Sequence, residues 1–362
     1  MLIFYDIIIY HMSTQKFLSP TYIKVHFFKS LKDIVENEIK SNSSIVPLAS
    51  GAPLEEDSIC LDCSSDFSAI KNLKSVLKAS IVRRGTHLNP YYLSNHKSLL
   101  GDLIFTVIHE HKNEPGFKTY TISCAGSDSK AVTALKRYIE DTYKLTESSS
   151  ADLRIAIART GRDWEISVGL TPRPLSVRSY RLHNIEGGIN PTIAYAMNAL
   201  GGAAKVSSYL NIFSGSGTLL IEAAQQNSRA TFVGFDHSKE AATAAIRNIQ
   251  NAGFIKNIAI KVADLFSRPD FGTFDLITAD LPFGMKIDKG GNLLKLYTEF
   301  LAYSEVHMKP YGKIVAYTSD ASTFKKALTT SKFTVQESRE ITIVTSMDSF
   351  LTTHIFVCAL KK

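Results

Sequence analysis

Asn211-Ile212-Phe213-Ser214-Gly215-Ser216-Gly217-Thr218 is the stretch whose reading decides the fold. The run from Val206 to Phe213 predicts a buried strand, and Leu219 to Gln226 predicts a helix. Gly215 and Gly217 fall between them, where the backbone must turn sharply and can approach a ligand closely. Outward from this unit the pattern repeats. Thr231 to Phe235 reads as a second strand with Asp236 at its end, about 20 residues past the loop, where a carboxylate accepts both hydroxyls of a ribose. Helix Lys239 to Ala252 follows, then strand Ile258 to Val262 ending at Ala263-Asp264-Leu265, then strand Phe274 to Thr278. Strands Lys313 to Thr318 and His354 to Leu360, with a helix from Phe300 to His307, complete the series. Alternating strands and helices predict an α/β domain over residues 189–362: a parallel, doubly wound sheet with an antiparallel edge strand.

The fourth strand runs into Thr278-Ala279-Asp280-Leu281-Pro282-Phe283-Gly284, where a polar acceptor, a proline and an aromatic ring meet. That combination suits chemistry on a flat ring bearing an amino group. Asp280 and a carbonyl held outward by Pro282 can accept from NH2 while Phe283 covers the ring face. Read alone, the stretch is also ordinary turn chemistry. Its place at a fourth strand end, after three ends that form a cofactor cradle, favours the catalytic reading.

The 362 residues allow two or three domains, and 44% apolar with 10% aromatic content is enough to build proper cores. Lys plus Arg (41) exceed Asp plus Glu (34), and the resulting net charge of +7 suits a polyanionic partner without requiring one. Four scattered cysteines point to a reducing, cytoplasmic compartment. Cys60 and Cys63 form a CxxC with no second ligand pair nearby, so structural thiols are expected rather than a metal site. The apolar run Met1 to Tyr10 is interrupted by Asp6, is too short to span a bilayer and lacks signal-peptide features. Residues 1–19 read as an extension, and Met12 is an alternative start of translation.

The front half reads as two α+β modules. In residues 20–90, alternation from Tyr22 to Phe28 gives a strand, and Leu31, Ile34, Val35 and Ile39 give a helix. Ser58 to Leu61 gives a second strand, Phe67 to Ala79 a second helix and Ile81 to Arg84 a further strand. In residues 91–171, helix 98–110, strand Lys118 to Cys124, helix Lys130 to Tyr143 and a hairpin of Asp152 to Ala158 with Trp164 to Leu170 follow. Residues 172–188 form a linker. Its stretch from Thr171 to Arg181 holds Arg173, Arg178 and Arg181, two prolines and no acid, a composition that can lie against phosphates or simply face solvent.

This order resembles the THUMP-domain RNA methyltransferases. The resemblance rests on Asp152-Leu153-Arg154-Ile155, Trp164-Glu165-Ile166-Ser167-Val168, the linker Arg178-Ser179-Tyr180-Arg181 and Asn190-Pro191-Thr192-Ile193-Ala194. The family's usual linker is RGYR and its helix start RPT or RPS, from which Ser179 and Asn190 depart. The back half resembles Rossmann-like S-adenosylmethionine-dependent methyltransferases, whose fourth strand carries [DN]-x-P-[FY]. A dehydrogenase would show a third glycine, absent from Gly215-Ser216-Gly217-Thr218-Leu219-Leu220.

The resemblance implies a ferredoxin-like module (20–90), a THUMP RNA-binding domain (91–171) and a catalytic domain that binds S-adenosylmethionine. Its cofactor contacts would come from Thr192, from Asn211, Phe213, Ser214, Gly215, Ser216, Gly217 and Thr218, and from Asp236 and His237. Asp264 and Leu265 would lie beside the adenine, and Asp280 beside the methyl group. Asn211 replaces the family's usual Asp, though an amide oxygen still accepts a hydrogen bond. Asp280, Leu281, Pro282, Phe283 and Gly284 would hold guanine for N2-methylation, and Arg173, Arg178, Arg181 and Lys286 would contact RNA phosphates. The implied enzyme is a monomeric tRNA guanine-N2-methyltransferase acting in the acceptor stem at position 6, D-x-P-F-G being nearer to that type than N-P-P-Y. It needs neither metal nor membrane. An rRNA guanosine, DNA adenine or protein-glutamine methyltransferase, and an RNA-binding scaffold with a decayed catalytic domain, are the alternatives.

Overall fold

The computed structural model describes residues 21–49, 55–90, 97–111, 116–126, 129–282, 292–346 and 349–361. The expected N-terminal extension, with the alternative start at Met12, lies outside them. Two compact units carry one seven-stranded sheet each. Among the described residues the first unit takes 21–26, Asn42–Asn72 and Lys78–Pro174, and the second takes Phe27–Ser41, Leu73–Leu77 and the chain from Leu175 onward.

Strands of the first unit are β1 (Thr21–His26), β2 (Ser58–Asp62), β3 (Lys78–Gly85), β4 (Thr119–Cys124), β5 (Thr146–Glu147), β6 (Leu153–Thr160) and β7 (Asp163–Gly169). Their order is β2-β1-β3-β7-β6-β4-β5, so strands from both expected front modules share one sheet. Buried Lys24 on β1 is held by Glu165 at 2.8 Å and Glu55 at 3.0 Å, which satisfies its charge. Cys60 and Cys63 are free, and burial pushes both thiols up to about 11. Helices α3 (Lys97–Glu110) and α4 (Lys130–Tyr143) also belong to this unit.

Helix α1 (Lys32–Lys40) is counted with the second unit, whereas the short α2 (Phe67–Lys71) is counted with the first. The sequence predicts a helix from Phe67 to Ala79, but it ends at Lys71. The Asn72 amide turns back onto Ala69 O at 3.2 Å, and the Glu38 carboxylate captures the Lys74 and Ser75 amides at 2.8 and 2.9 Å. Donors that would have continued the helix are therefore used elsewhere.

The second sheet contains β8 (Ser208–Ile212), β9 (Thr231–Asp236), β10 (Ile258–Val262), β11 (Phe274–Asp280), β12 (Met308–Thr318), β13 (Phe333–Ser346) and β14 (Ser349–Leu360). Its order is β10-β9-β8-β11-β12-β14-β13. β8 to β12 run parallel, and β14 pairs antiparallel with β12 and with β13. The antiparallel strand is thus flanked by β13, an edge that sequence periodicity does not reveal. The helices are α5 (Pro191–Gly201), α6 (Thr218–Gln226), α7 (Lys239–Asn251), α8 (Asn292–Val306) and α9 (Ala321–Thr329). β8 is buried at every position, as a central parallel strand covered on both faces must be. Alternation splits its residues between two cores, with Tyr209 in one and Leu210 and Ile212 in the other.

Candidate active site

The loop joining β8 to α6 is shaped by three left-handed residues, Phe213 at φ 57°, Gly215 at 52° and Gly217 at 81°. Phe213 has a Cβ and so carries backbone strain of roughly 1–3 kcal/mol, which only surrounding structure can hold. That structure is a set of amide bonds. Ser214 N donates to Phe235 O at 2.9 Å, Gly217 N to Ser214 O at 2.8 Å, and Gly215 N to Asp236 Oδ2 at 2.9 Å. The other carboxylate oxygen of Asp236 accepts from Ser238 N at 3.0 Å, so the end of β9 braces the glycine loop. At Gly217 a side chain would also bring its Cβ to 3.2 Å from that of Ala245.

Two polar atoms at this strand end are buried without a partner among the described residues, Asn211 Oδ1 and Ser214 Oγ. Asn211 is wholly buried and donates Nδ2 to Thr278 O at 3.1 Å, leaving its carbonyl oxygen as an unmet acceptor. Orphaned acceptors beside a strained glycine loop fit the amino end of an S-adenosylmethionine, and the carboxylate at the end of β9 fits its ribose. Ser216 and Thr218 are buried with their hydroxyls 3.4 Å apart. His237 is exposed, with Nδ1 3.3 Å from Asp236 Oδ1. Asp264 is exposed and caps the turn after β10 by accepting from Phe266 N at 3.0 Å, while Leu265 beside it is buried.

Asp280 ends β11. The pleat sets Leu276, Thr278 and Asp280 on one face, and Leu276 packs in the core that contains Tyr180, Ile189 and Ile193. Ile277, Ala279 and Leu281 belong to the opposite core. Surrounding protein strips water from the Asp280 carboxyl and pushes its pKa up to about 7, a rise opposed by Arg181. Beyond it the turn is held by Leu281 N donating to Tyr317 O at 2.9 Å and by the Tyr297 hydroxyl donating to Pro282 O at 3.0 Å. Phe283, Gly284 and Lys286 lie outside the described residues.

Two expectations need correction. Thr192 is wholly buried and its hydroxyl points to Val76 O at 3.5 Å, so it presents no group to a cofactor. Arg178 is buried, not free for phosphate: its Nε donates to Glu222 Oε1 at 2.9 Å and its Nη2 to Lys74 O at 2.7 Å. Arg181 is half-buried and donates Nη1 to Ile189 O at 3.0 Å. Arg173 alone of the three is exposed. Sequence reasoning missed Glu222 and Tyr180, whose hydroxyl donates to Glu222 Oε1 at 2.7 Å. The available signal was a lone carboxylate inside the apolar run Leu219 to Ala224.

A doubly wound sheet in this order, with a glycine loop after β8, a carboxylate after β9 and an acid after β11, defines the methyltransferase class of α/β proteins. Residues 178–348 match the family described as UPF0020, RMKL-like, methyltransferase domain. The tRNA (guanine(6)-N2)-methyltransferase of Thermus thermophilus is 28% identical over 177 residues, covering 49% of this chain and 52% of that protein. The Bos taurus U6 snRNA (guanine-N(2))-methyltransferase THUMPD2 is 30% identical over 191 residues, 50% of this chain and 38% of that protein. Matching regions thus span about half or less of those relatives. The crystal structure of TrmN from Thermus thermophilus superposes with a TM-score of 0.75 at 18% identity, covering 94% of this chain and 100% of that one, and shares its fold.

Proposed function

We propose that this protein is an S-adenosylmethionine-dependent RNA methyltransferase that forms N2-methylguanosine, with tRNA as substrate and the acceptor stem, at position 6, as the target. The observation that carries the reading is Asp280, a carboxylate at the fourth strand end beside a braced glycine loop with unmet buried acceptors. Relatives named as guanine-N2-methyltransferases for tRNA and for U6 snRNA support an RNA guanine as substrate. A U6 snRNA-like target is therefore the second reading.

Bound S-adenosylmethionine supplies an electrophilic methyl group. Guanine N2 is a poor nucleophile because its lone pair is delocalised into the ring, so the protein must aim it. Asp280 accepts one N–H of the amine in a charge-assisted hydrogen bond and the Leu281 carbonyl accepts the other. Positioning of this kind can supply ~7–11 kcal/mol of the barrier. As N2 takes the methyl group, the amine proton would pass to Asp280. Asn211 and Ser214 would hold the amino-acid end of the cofactor, Asp236 the ribose and Asp264 the adenine side.

Residues 20–90 and 91–171 act, in this reading, as a ferredoxin-like module and a THUMP domain that grip the RNA while the target base leaves its stack, a step costing a few kcal/mol. Support comes from a groove of about 500 Å³ lined by Lys97, Lys130, Arg137, Tyr138 and Asp141 on α3 and α4. Three cations and an aromatic ring suit phosphates and bases. The protein acts as a monomer in the cytoplasm. Among the described residues no helix is long and apolar enough to cross a membrane, and no cluster of His, Cys, Asp or Glu could hold a metal ion.

The deciding experiment incubates the protein with methyl-labelled cofactor and total RNA, then identifies the labelled nucleoside. N2-methylguanosine in tRNA is expected, and label confined to adenosine or absent from RNA overturns the reading. Asp280→Ala is expected to abolish transfer while calorimetry finds cofactor affinity near wild type. A variant that keeps most of its rate refutes the role given to Asp280.

A further inference from the structure

We infer that Tyr297 and Thr318 are positioning residues: a one-way chain of hydrogen bonds through their hydroxyls fixes the turn after Asp280 so that it presents the Leu281 carbonyl to the target amine. The inference rests on the functional reading above and deepens it.

The chain has a single consistent direction. The Asp320 amide donates to Thr318 Oγ1 at 3.0 Å, and the Tyr297 hydroxyl lies 2.8 Å from that same oxygen and 3.0 Å from Pro282 O. A carbonyl only accepts, so the one Tyr297 proton goes to Pro282 O. The bond between the two hydroxyls must then be donated by Thr318, whose oxygen takes the Asp320 N–H. Every proton in the chain is used once. Tyr297 on α8 and Thr318 at the end of β12 are wholly buried, where such linked bonds strengthen one another. Burial pushes the Tyr297 phenol up to about 12, which keeps its proton available for donation at neutral pH. Its ring sits edge-on to Phe324 of α9, with centroids 5.9 Å apart.

Both ends of the chain are anchored. Asp320 caps α9, accepting from Thr323 N at 2.9 Å and from the Thr323 hydroxyl at 2.7 Å. At the other end the Leu281 amide is spent on Tyr317 O at 2.9 Å. Pro282 has no N–H, and its ring keeps the residue before it extended. The Leu281 carbonyl therefore stands between a tethered amide and a tethered carbonyl, and no backbone amide among the described residues donates to it. It is the second acceptor that the proposed mechanism needs beside the Asp280 carboxylate. Without the Tyr297 proton the Pro282 carbonyl loses its partner, and the turn gains by rotating toward another donor. Reacting groups tolerate little of this, since a shift of about 1 Å can cost about 100-fold in rate.

The test reads the tether and the chemistry separately. Pro282-Phe283 is the only Pro-Phe pair in the sequence, so protein labelled with carbonyl carbon-13 proline and nitrogen-15 phenylalanine gives a single carbonyl–amide NMR correlation. Tyr297→Phe, which keeps the ring, is expected to shift that carbonyl signal upfield. It should also lower kcat for methylation of total tRNA by about 100-fold, while KM for tRNA and the calorimetric affinity for S-adenosylmethionine hold. Thr318→Val removes the middle of the chain and should give smaller changes in the same direction, and Thr318→Ser should restore both readouts. Tyr297→Phe combined with Thr318→Val should be no worse than Tyr297→Phe alone, because the two hydroxyls act in series. A merely structural role would lower kcat and cofactor affinity together and would not give this ordering. Should Tyr297→Phe not fold, Thr318→Val set against Thr318→Ser carries the same expectation. An unmoved carbonyl signal in a folded variant, or a moved signal with kcat unchanged, overturns the inference. The correlation needs no methyl transfer, so a wild-type protein inert toward RNA would sink the functional reading while the carbonyl signal still decides whether the hydroxyl chain holds the turn.

Discussion

At the scale of single residues, the catalytic role proposed for Asp280 and its effect on stability carry opposite signs. Its folded pKa of about 7 stands above the ordinary carboxyl value of 3.8, and burial is the main cause. The folded state therefore binds the proton more tightly than the unfolded chain. Stability contributed by the neutral form is complete below about pH 4 and is lost as pH rises toward about 7. Each pKa unit is worth roughly 1.4 kcal/mol, so the ionised acid costs the ligand-free fold at most about 4 kcal/mol at pH 8. Asp280→Asn is thus expected to melt several degrees higher than wild type at pH 8 and to match it at pH 4. Equal melting temperatures at pH 8 would show that the carboxylate is not a burden on the fold.

The elements show what local pattern can and cannot report. Strand β10 and helix α4 have the bounds that periodicity predicts, and α4 buries one apolar face of Val132, Leu135 and Ile139. The helix expected from Phe67 to Ala79 fails because capture of the Lys74 and Ser75 amides by Glu38 is a tertiary event 36 and 37 residues away in sequence. Helix α6 hides a similar event. Glu222 is wholly buried and takes Arg178 Nε at 2.9 Å and the Tyr180 hydroxyl at 2.7 Å, which clamps the linker onto α6. Glu222→Gln leaves the Arg178 charge buried and unpaired, so a loss of about 3–5 kcal/mol is expected in urea unfolding. Tyr180→Phe removes one bond to a charged group and should cost about 1.5–3 kcal/mol. A Glu222→Gln loss no larger than that of Tyr180→Phe would mean that water relieves the stranded charge.

Across the whole molecule, the loops at the strand ends of the second sheet were legible because they follow one another in sequence order. Spacing put Gly215 and Gly217 in the loop after β8, Asp236 at the end of β9 and Asp280 at the end of β11, where the structure has them, while the role of Asn211 came from the resemblance. The fate of the linker arginines was not legible, since Arg178 and Arg181 differ in role only through Glu222 and Ile189, which composition cannot pair with them. Nor could periodicity tell which core Ile34 joins: it packs with Tyr209 and Ile193 of the second unit. The same limit hid the groove on α3 and α4, whose Lys97 lies 5.9 Å from the centre of the Tyr138 ring and whose Lys130 and Arg137 are exposed. In the proposed reading, with Arg178 buried, the groove is the better place for RNA phosphates. Each phosphate neutralised on a single strand adds roughly 0.7 to the slope of log affinity against log salt. Replacing Lys97, Lys130 and Arg137 together by Gln should therefore flatten that slope by about 2 and weaken binding to all RNAs alike. The catalytic unit is untouched, so kcat at saturating RNA should hold while KM rises. Unchanged salt dependence in a folded triple variant would move the RNA grip away from this groove.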